Sequence, residues 1–411
     1  MKILVLAPDV PATSGMPGSP RLFSLCRELS RQHELFLVTY RSSQERYQAF
    51  IDDPATAGVF AKIEILTDPP AIQWWGQQWH RLHLAAHFEM RYRHAGYYQS
   101  ICERIRELCV QAHIEFIYVD RLEMSQYFDC QMSIPAVIDL HDSMTLLSRR
   151  MLAVDQGWHK RLTAYLFLIC VKRLEGNLRR TFDLIVMNSA VDEQIIKELS
   201  DEPKTLTITN GVDTEYFVPD STLQETDKIV FTGVMGYAPN EDAALYFVEK
   251  IFPLVKAKRP RAQFWIVGSE PSEKVKALTR TAGVHVTGKV QDVRPHVRSA
   301  SVFVCPLRVG SGVKNKILAA LAMRKAVVAT SISVDGLDVS DNREVLLADG
   351  PEAFANKVLR LLENEPDAER LGANGLAKVQ RLYSWAAMGK TLEAAMESVR
   401  ASQHDRWVRQ V

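Results

Sequence analysis

Short apolar runs alternate with helix-like segments along the whole chain, and the alternation is played out twice. In the first half the runs read KILVLA (2–7), LFLVTY (35–40), KIEILT (62–67), FIYVD (116–120), AVIDL (136–140) and LIVMN (184–188). The second half repeats the plan with KIVFTG (228–233), AQFWIVG (262–268), VHVTG (284–288), VFVCP (302–306) and AVVAT (326–330). Continuous apolar runs, rather than alternating ones, belong to strands buried on both faces of a parallel sheet. Helical stretches such as 243–256 and 353–363 lie between them. The pattern predicts two doubly wound α/β domains, with ligands at the carboxyl ends of the strands.

Length agrees, since 411 residues exceed what one core serves and suit two domains. The expected bounds are a first domain over 1–198, a polar hinge over 199–227 with Pro203, Asn210, Gly211 and Pro219, and a second domain over 228–384. A last helix, about 385–411, has no strand after it and is free to return to the first domain. A formal net charge of +1 argues against a general nucleic-acid binder. Six scattered cysteines without a CxxC pair suit reduced thiols in a cytosolic protein, not a disulfide framework or a zinc site. The N-terminal run Ile3 to Ala7 stops at Pro8 and Asp9, as a first strand would and a signal peptide would not. The longest apolar run elsewhere, 162–171, falls far short of the ~20 residues that span a bilayer. A soluble protein is expected, one that can still touch a membrane.

The chemistry concentrates in 305–330, CPLRVGSGVKNKILAALAMRKAVVAT. A strand ends at Pro306, a loop carries Gly310, Ser311 and Gly312, and a helix opens with Lys314 and Lys316 in its first turns. Strand, loop and helix aim free backbone N–H groups and the positive end of a helix dipole at one point. Arg308 and the two lysines beside that point make an anion site, suited to a phosphate or diphosphate. The plainer alternative is a turn whose glycines serve geometry and whose lysines are solvated. Three further strand ends carry glycine: Gly233, Gly268 and Gly288. Without a Cβ, they let backbone approach a planar or phosphorylated ligand.

In the first half, Ser14, Gly15 and Gly18 form a loop after the first strand, without GxGxxG spacing. Ser19 and Pro20 read as N-cap and first residue of the next helix. Arg21 then sits in a first turn, where a cation is disfavoured unless an anion is near. The strand AVIDL ends in His141, Asp142 and Ser143. His141 could donate a hydrogen bond or relay a proton, oriented by Asp139 or Asp142; alternatively Asp142 and Ser143 only cap a helix. Two clusters suit anionic lipid head groups: Trp74, Trp75 and Trp79 among basic residues and Tyr97 and Tyr98, and the basic stretch 149–180. They serve equally well as aromatic core positions with solvated charges.

Four stretches together, NGVDTEYF (210–217), FTGVMGYAPNEDA (231–243), VTGKVQDVRPHV (286–297) and PLRVGSGVKNKILAALAM (306–323), resemble retaining glycosyltransferases that use nucleotide sugars and have the two-domain B-type fold. The likeness is nearest to bacterial sugar transferases of exopolysaccharide clusters. It implies two Rossmann-like domains facing each other across a cleft, with a nucleotide diphosphate-sugar on the second and a glycan or polyprenyl-linked acceptor on the first. It implies no metal and no cofactor beyond that donor; the cysteine usage and the two clusters add the expectation of a cytoplasmic location, peripheral to the plasma membrane. By the resemblance His141, Arg308 and Lys316 act at the reacting centre, the basic groups stabilising the departing diphosphate. Ser311, Gly312, Val313 and Lys314 hold the phosphates, Gly15 closes over them, Gly233 and Gly268 line the site, and the base rests on Lys289 and Val290.

The chain departs from that pattern in two places. The family carries two glutamates eight positions apart, where this chain has Ser311 and Ala319, and alanine accepts no hydrogen bond from a ribose. The family's basic pair after the second domain's first strand is missing from VMGYAPN, which leaves diphosphate neutralisation to 308–316. The leading expectation is transfer of a hexose-type sugar to a growing glycan. A nucleotide-sugar epimerase and a partner protein with an impaired donor site are the alternatives.

Overall fold

The computed structural model describes residues 1–13, 20–40, 44–67, 94–128, 134–153, 158–201, 203–220, 224–309 and 313–408. The chain divides into two compact units, one made of 1–209 and 388–411, the other of 210–387.

The first unit holds seven strands: β1 (Lys2–Ala7), β2 (Glu34–Tyr40), β3 (Lys62–Leu66), β4 (Phe116–Asp120), β5 (Ala136–Asp139), β6 (Leu184–Met187) and β7 (Thr205–Thr207). Every pair is parallel, in the order β3-β2-β1-β4-β5-β6-β7. The second unit holds β8 (Lys228–Thr232), β9 (Gln263–Val267), β10 (Val284–Val286), β11 (Val302–Cys305), β12 (Val327–Ala329) and β13 (Leu346–Leu347), parallel in the order β10-β9-β8-β11-β12-β13. The two doubly wound sheets read from the continuous apolar runs are therefore present. β4, β5, β6, β8, β11 and β12 are buried at every residue, as strands covered by helices on both faces must be.

The reading missed two strands. β7 lies inside the stretch expected to be a hinge, and its half-buried Thr-Leu-Thr looked like loop. As a sheet edge it needs only β-branched residues and one ladder, with β6. β13 is two residues long and offers too little pattern to see. The helix expected over 243–256 opens earlier and is interrupted. It runs as Ala238–Tyr246, a π turn Phe247–Ile251 and Phe252–Lys258. Pro253 lacks the N–H that an unbroken helix would need there, and the wider turn just before it absorbs the mismatch.

The final helix, Trp385–Val408, changes unit at residue 388. On the first unit Gly389 lies so close to Glu28 that an added Cβ would come 2.5 Å from the Glu28 Cβ. Further along, Glu393 meets His33 at 3.1 Å and Arg400 meets Glu115 at 3.0 Å. Among the described residues no helix is long and apolar enough to cross a membrane.

Candidate functional site

In each sheet the chain first runs to one side and then returns to the other, so a crevice opens at the carboxyl ends of the strands where the order reverses. In the second unit that point lies between β8 and β11. In the first it lies between β1 and β4. Of the sequence-derived site residues, Gly233, Arg308 and Lys316 lie on the segments that follow β8 and β11.

Lys316 is the second residue of the Asn315–Ala322 helix, whose N-cap is Lys314 in extended conformation. Its ammonium donates to Asn240 Oδ1 at 2.6 Å and lies 4.4 Å from the centre of the Phe231 ring. The Asn240 Nδ2 donates to the Val234 carbonyl at 2.9 Å, which fixes the amide so that its oxygen faces the lysine. Burial pushes the Lys316 ammonium down to about 8. Gly233, at the end of β8, makes room for this arrangement: a Cβ there would lie 2.8 Å from Lys316 Nζ and 2.7 Å from Asn240 Nδ2. The Pro306 loop below is pinned from β12. Thr330 Oγ1 donates to the Leu307 carbonyl at 2.6 Å, and Ser333 Oγ to the Cys305 carbonyl at 2.7 Å.

Arg308 reaches the same strand end but is clamped. Its guanidinium grips Asp242 with two hydrogen bonds, from Nε at 3.0 Å and from Nη2, and sits 4.6 Å over the Tyr246 ring. Its charge already has a carboxylate, so it is not the uncommitted phosphate ligand that the sequence suggested. Gly268 also has an internal explanation. Its φ is 145°, and a Cβ would fall 1.8 Å from the Gly233 carbonyl oxygen, so β8 and β9 themselves demand glycine. Gly288 is different, with φ 69° and open space where a Cβ would point. Beyond it Lys289 is exposed and Val290 is half-buried against the core, past the end of edge strand β10. Val313, Lys314 and Ala319 are partly buried. Gly15, Ser311 and Gly312 lie outside the described residues. Sequence reasoning missed Asn240, Asp242 and the exposed Val234, Tyr237 and Val309 beside them. An asparagine seven residues after Gly233 carries no distinct signal of its own.

In the first unit Arg21 opens the Arg21–Leu29 helix, with Pro20 rather than Ser19 as its N-cap. The side chain is fully buried. Its Nε donates to Asp139 Oδ2 at 2.8 Å, its Nη2 to Asp139 Oδ1 at 3.2 Å and its Nη1 to the Thr209 carbonyl at 3.2 Å. The anion that a cation in this first turn requires is thus Asp139. Tyr118 adds a hydroxyl donor to the same carboxylate at 2.7 Å. Burial works to raise the Asp139 pKa, but Arg21 and these donors outweigh it and hold the carboxyl below its usual range.

His141 stands in the left-handed region with φ 63°, and Arg121 does so too with φ 65°. Two such residues at neighbouring strand ends are held there by their surroundings. His141 Nε2 meets Asp120 Oδ1 at 2.8 Å, and its backbone N–H donates to Asp139 Oδ1 at 3.2 Å. The orienting carboxylate is Asp120, not Asp139 or Asp142. Burial alone would lower the His141 pKa, yet Asp120 outweighs it and raises the imidazole. Arg121 bridges Asp120 at 3.2 Å and Asp9, just past β1, at 3.0 Å. Ser143 does cap the next helix: its Oγ accepts from Leu146 N–H at 3.2 Å and donates to the buried Glu175 at 3.0 Å.

Residues 226–364 match the family model described as glycosyl transferases group 1. The match takes in all of β8 to β13. The chain as a whole has the B-type fold. It superposes on sucrose-phosphate synthase from Thermosynechococcus elongatus with TM-score 0.66 and 16% identity, covering 98% of this chain and 99% of that one. Anabaena HepE, solved with UDP-glucose, gives TM-score 0.64 and 14% identity over 97% and 100%. An uncharacterized 44.6 kDa protein of the cps region of Klebsiella pneumoniae is 20% identical over 163 residues, 38% of this chain and 42% of that protein. The chain thus spans less than half the length of the curated relative it matches.

Proposed function

We propose that this chain transfers a sugar from a nucleotide diphosphate-sugar to a glycan or lipid-linked acceptor during cell-surface polysaccharide synthesis. One observation carries the reading. Lys316 places a part-buried ammonium, partnered by a neutral amide, at the switch point of the group 1 domain. A diphosphate leaving group supplies the anion that Asn240 does not, and its charge grows as the glycosidic bond breaks. The amides at the start of the Asn315–Ala322 helix add to the same pull. His141, cationic or donating at its remaining nitrogen, is the group of the first unit suited to the sugar or acceptor hydroxyls. The reading includes retention at the anomeric carbon, a hexose-type sugar, no metal and a cytoplasmic location.

The supporting comparisons are the HepE complex with UDP-glucose and the cps-region relative. The test is a donor panel followed by mass spectrometry, with and without EDTA. Sugar transfer or donor hydrolysis from at least one nucleotide diphosphate-sugar, unaffected by EDTA, is expected; an inert panel would sink the reading. Ala319 favours a second one, a partner protein that binds weakly or not at all where a ribose-holding glutamate is missing. Calorimetry with a panel of nucleotide diphosphates separates them, because no binding by any of them supports the second and binding with turnover the first.

A further inference from the structure

The Trp158–Asn177 helix is apolar on both sides. Its inner face is conventional: Ala164, Phe167 and Val171 are buried, and Glu175 caps the neighbouring helix by accepting from the Met144 N–H at 2.7 Å and the Thr145 N–H at 3.2 Å. The outer face is not. Leu162, Tyr165, Leu166 and Ile169, spaced i, i+3, i+4 and i+7, are 52%, 54%, 46% and 50% exposed. That spacing makes one continuous stripe, about 10 Å long on the helix axis. Lys172 and Arg173 are exposed and continue the same face one turn on. In the chain, Lys160 and Arg161 precede the stripe, and Glu175, buried and committed elsewhere, is the only acidic residue of the helix.

We propose that this face docks on an anionic lipid bilayer, lying in the interface with its apolar stripe among the acyl chains. Three features select this occupant. The stripe is too short to cross hydrocarbon but long enough to lie along its surface. Lys160, Arg161, Lys172 and Arg173 flank it in the chain, and the helix's one carboxylate, Glu175, is buried, which matches an anionic head-group layer. Tyr165 and the long lysine and arginine stems suit a boundary that is apolar on one side and wet on the other. A second copy of the chain suits the face less well. A two-fold interface sets the same patch against itself and would bring the basic flanks together.

The surface is independent of the donor chemistry, so it is tested without substrate. The full chain is sedimented with phosphatidylglycerol-containing vesicles and with pure phosphatidylcholine vesicles at low salt. Co-sedimentation with the anionic vesicles is expected, reduced by added salt. The double variant Leu166→Glu, Ile169→Glu should weaken it roughly tenfold or more, with an unchanged circular dichroism spectrum and unchanged UDP calorimetry. Lys172→Glu with Arg173→Glu should weaken it less and flatten the salt dependence. Equal recovery with both vesicle types, or an unaffected Leu166→Glu, Ile169→Glu variant, overturns the proposal. So does ultracentrifugation showing a dimer that this variant abolishes while vesicles capture nothing.

Discussion

The two switch points treat buried cations in opposite ways. In the first unit Arg21 is bidentate on Asp139, which Tyr118 also serves, while Asp120 holds both Arg121 and His141. Those charges are closed on one another, and the result is a frame. In the second unit Lys316 has no carboxylate partner among the described residues; its acceptor is an amide oxygen, and burial pushes its ammonium down to about 8. Desolvating a charge without an opposite charge is costly, so such a site is stabilised by the ligand that completes it. Completed networks position groups, and incomplete ones bind.

The contrast is broken most severely by Arg21→Met. It leaves Asp139 buried without its cation and should cost about 3–5 kcal/mol of unfolding free energy in urea. Because the folded Asp139 pKa is depressed, this contribution is present at neutral pH and is lost as pH falls through that lowered value. A loss below about 1 kcal/mol would mean that the pair is no more than a surface-type contact. Next in size is Lys316→Ala, which should reduce UDP affinity by about 2–3 kcal/mol, on the order of a hundredfold. Stability without ligand should not fall, since a poorly compensated charge is removed. The wild-type affinity should decline as pH rises past about 8, where the ammonium loses its proton, and Lys316→Arg should abolish that decline. Calorimetry across pH checks both.

A smaller gain is expected from Ala319→Glu, which restores an acceptor one turn after Lys316 and should tighten UDP binding by about 1–2 kcal/mol. No change there would indicate that another group already meets the ribose. The mildest test is Asp120→Asn. It removes the carboxylate that holds the imidazole charged, so the His141 titration followed by NMR should move down from its raised position.

Most of the fold was legible because strands covered on both faces must be apolar without interruption, and runs such as FIYVD and KIVFT can be little else. β7 and β13 escaped because an edge strand needs only its ladder, which leaves no such mark. The candidate site residues were legible as types: Lys316 beside a glycine-rich loop, His141 after a buried strand. Their partners were not. Asp120 lies 21 residues before His141, Asn240 lies 76 before Lys316, and Asp139 lies 118 after Arg21. Sequence alone determined that two parallel sheets form and that cations gather at their strand ends, since local periodicity and composition encode burial. Which cations are neutralised internally and which await a ligand was decided only by tertiary structure, because charge pairing depends on distances of a few ångströms between residues remote in the chain.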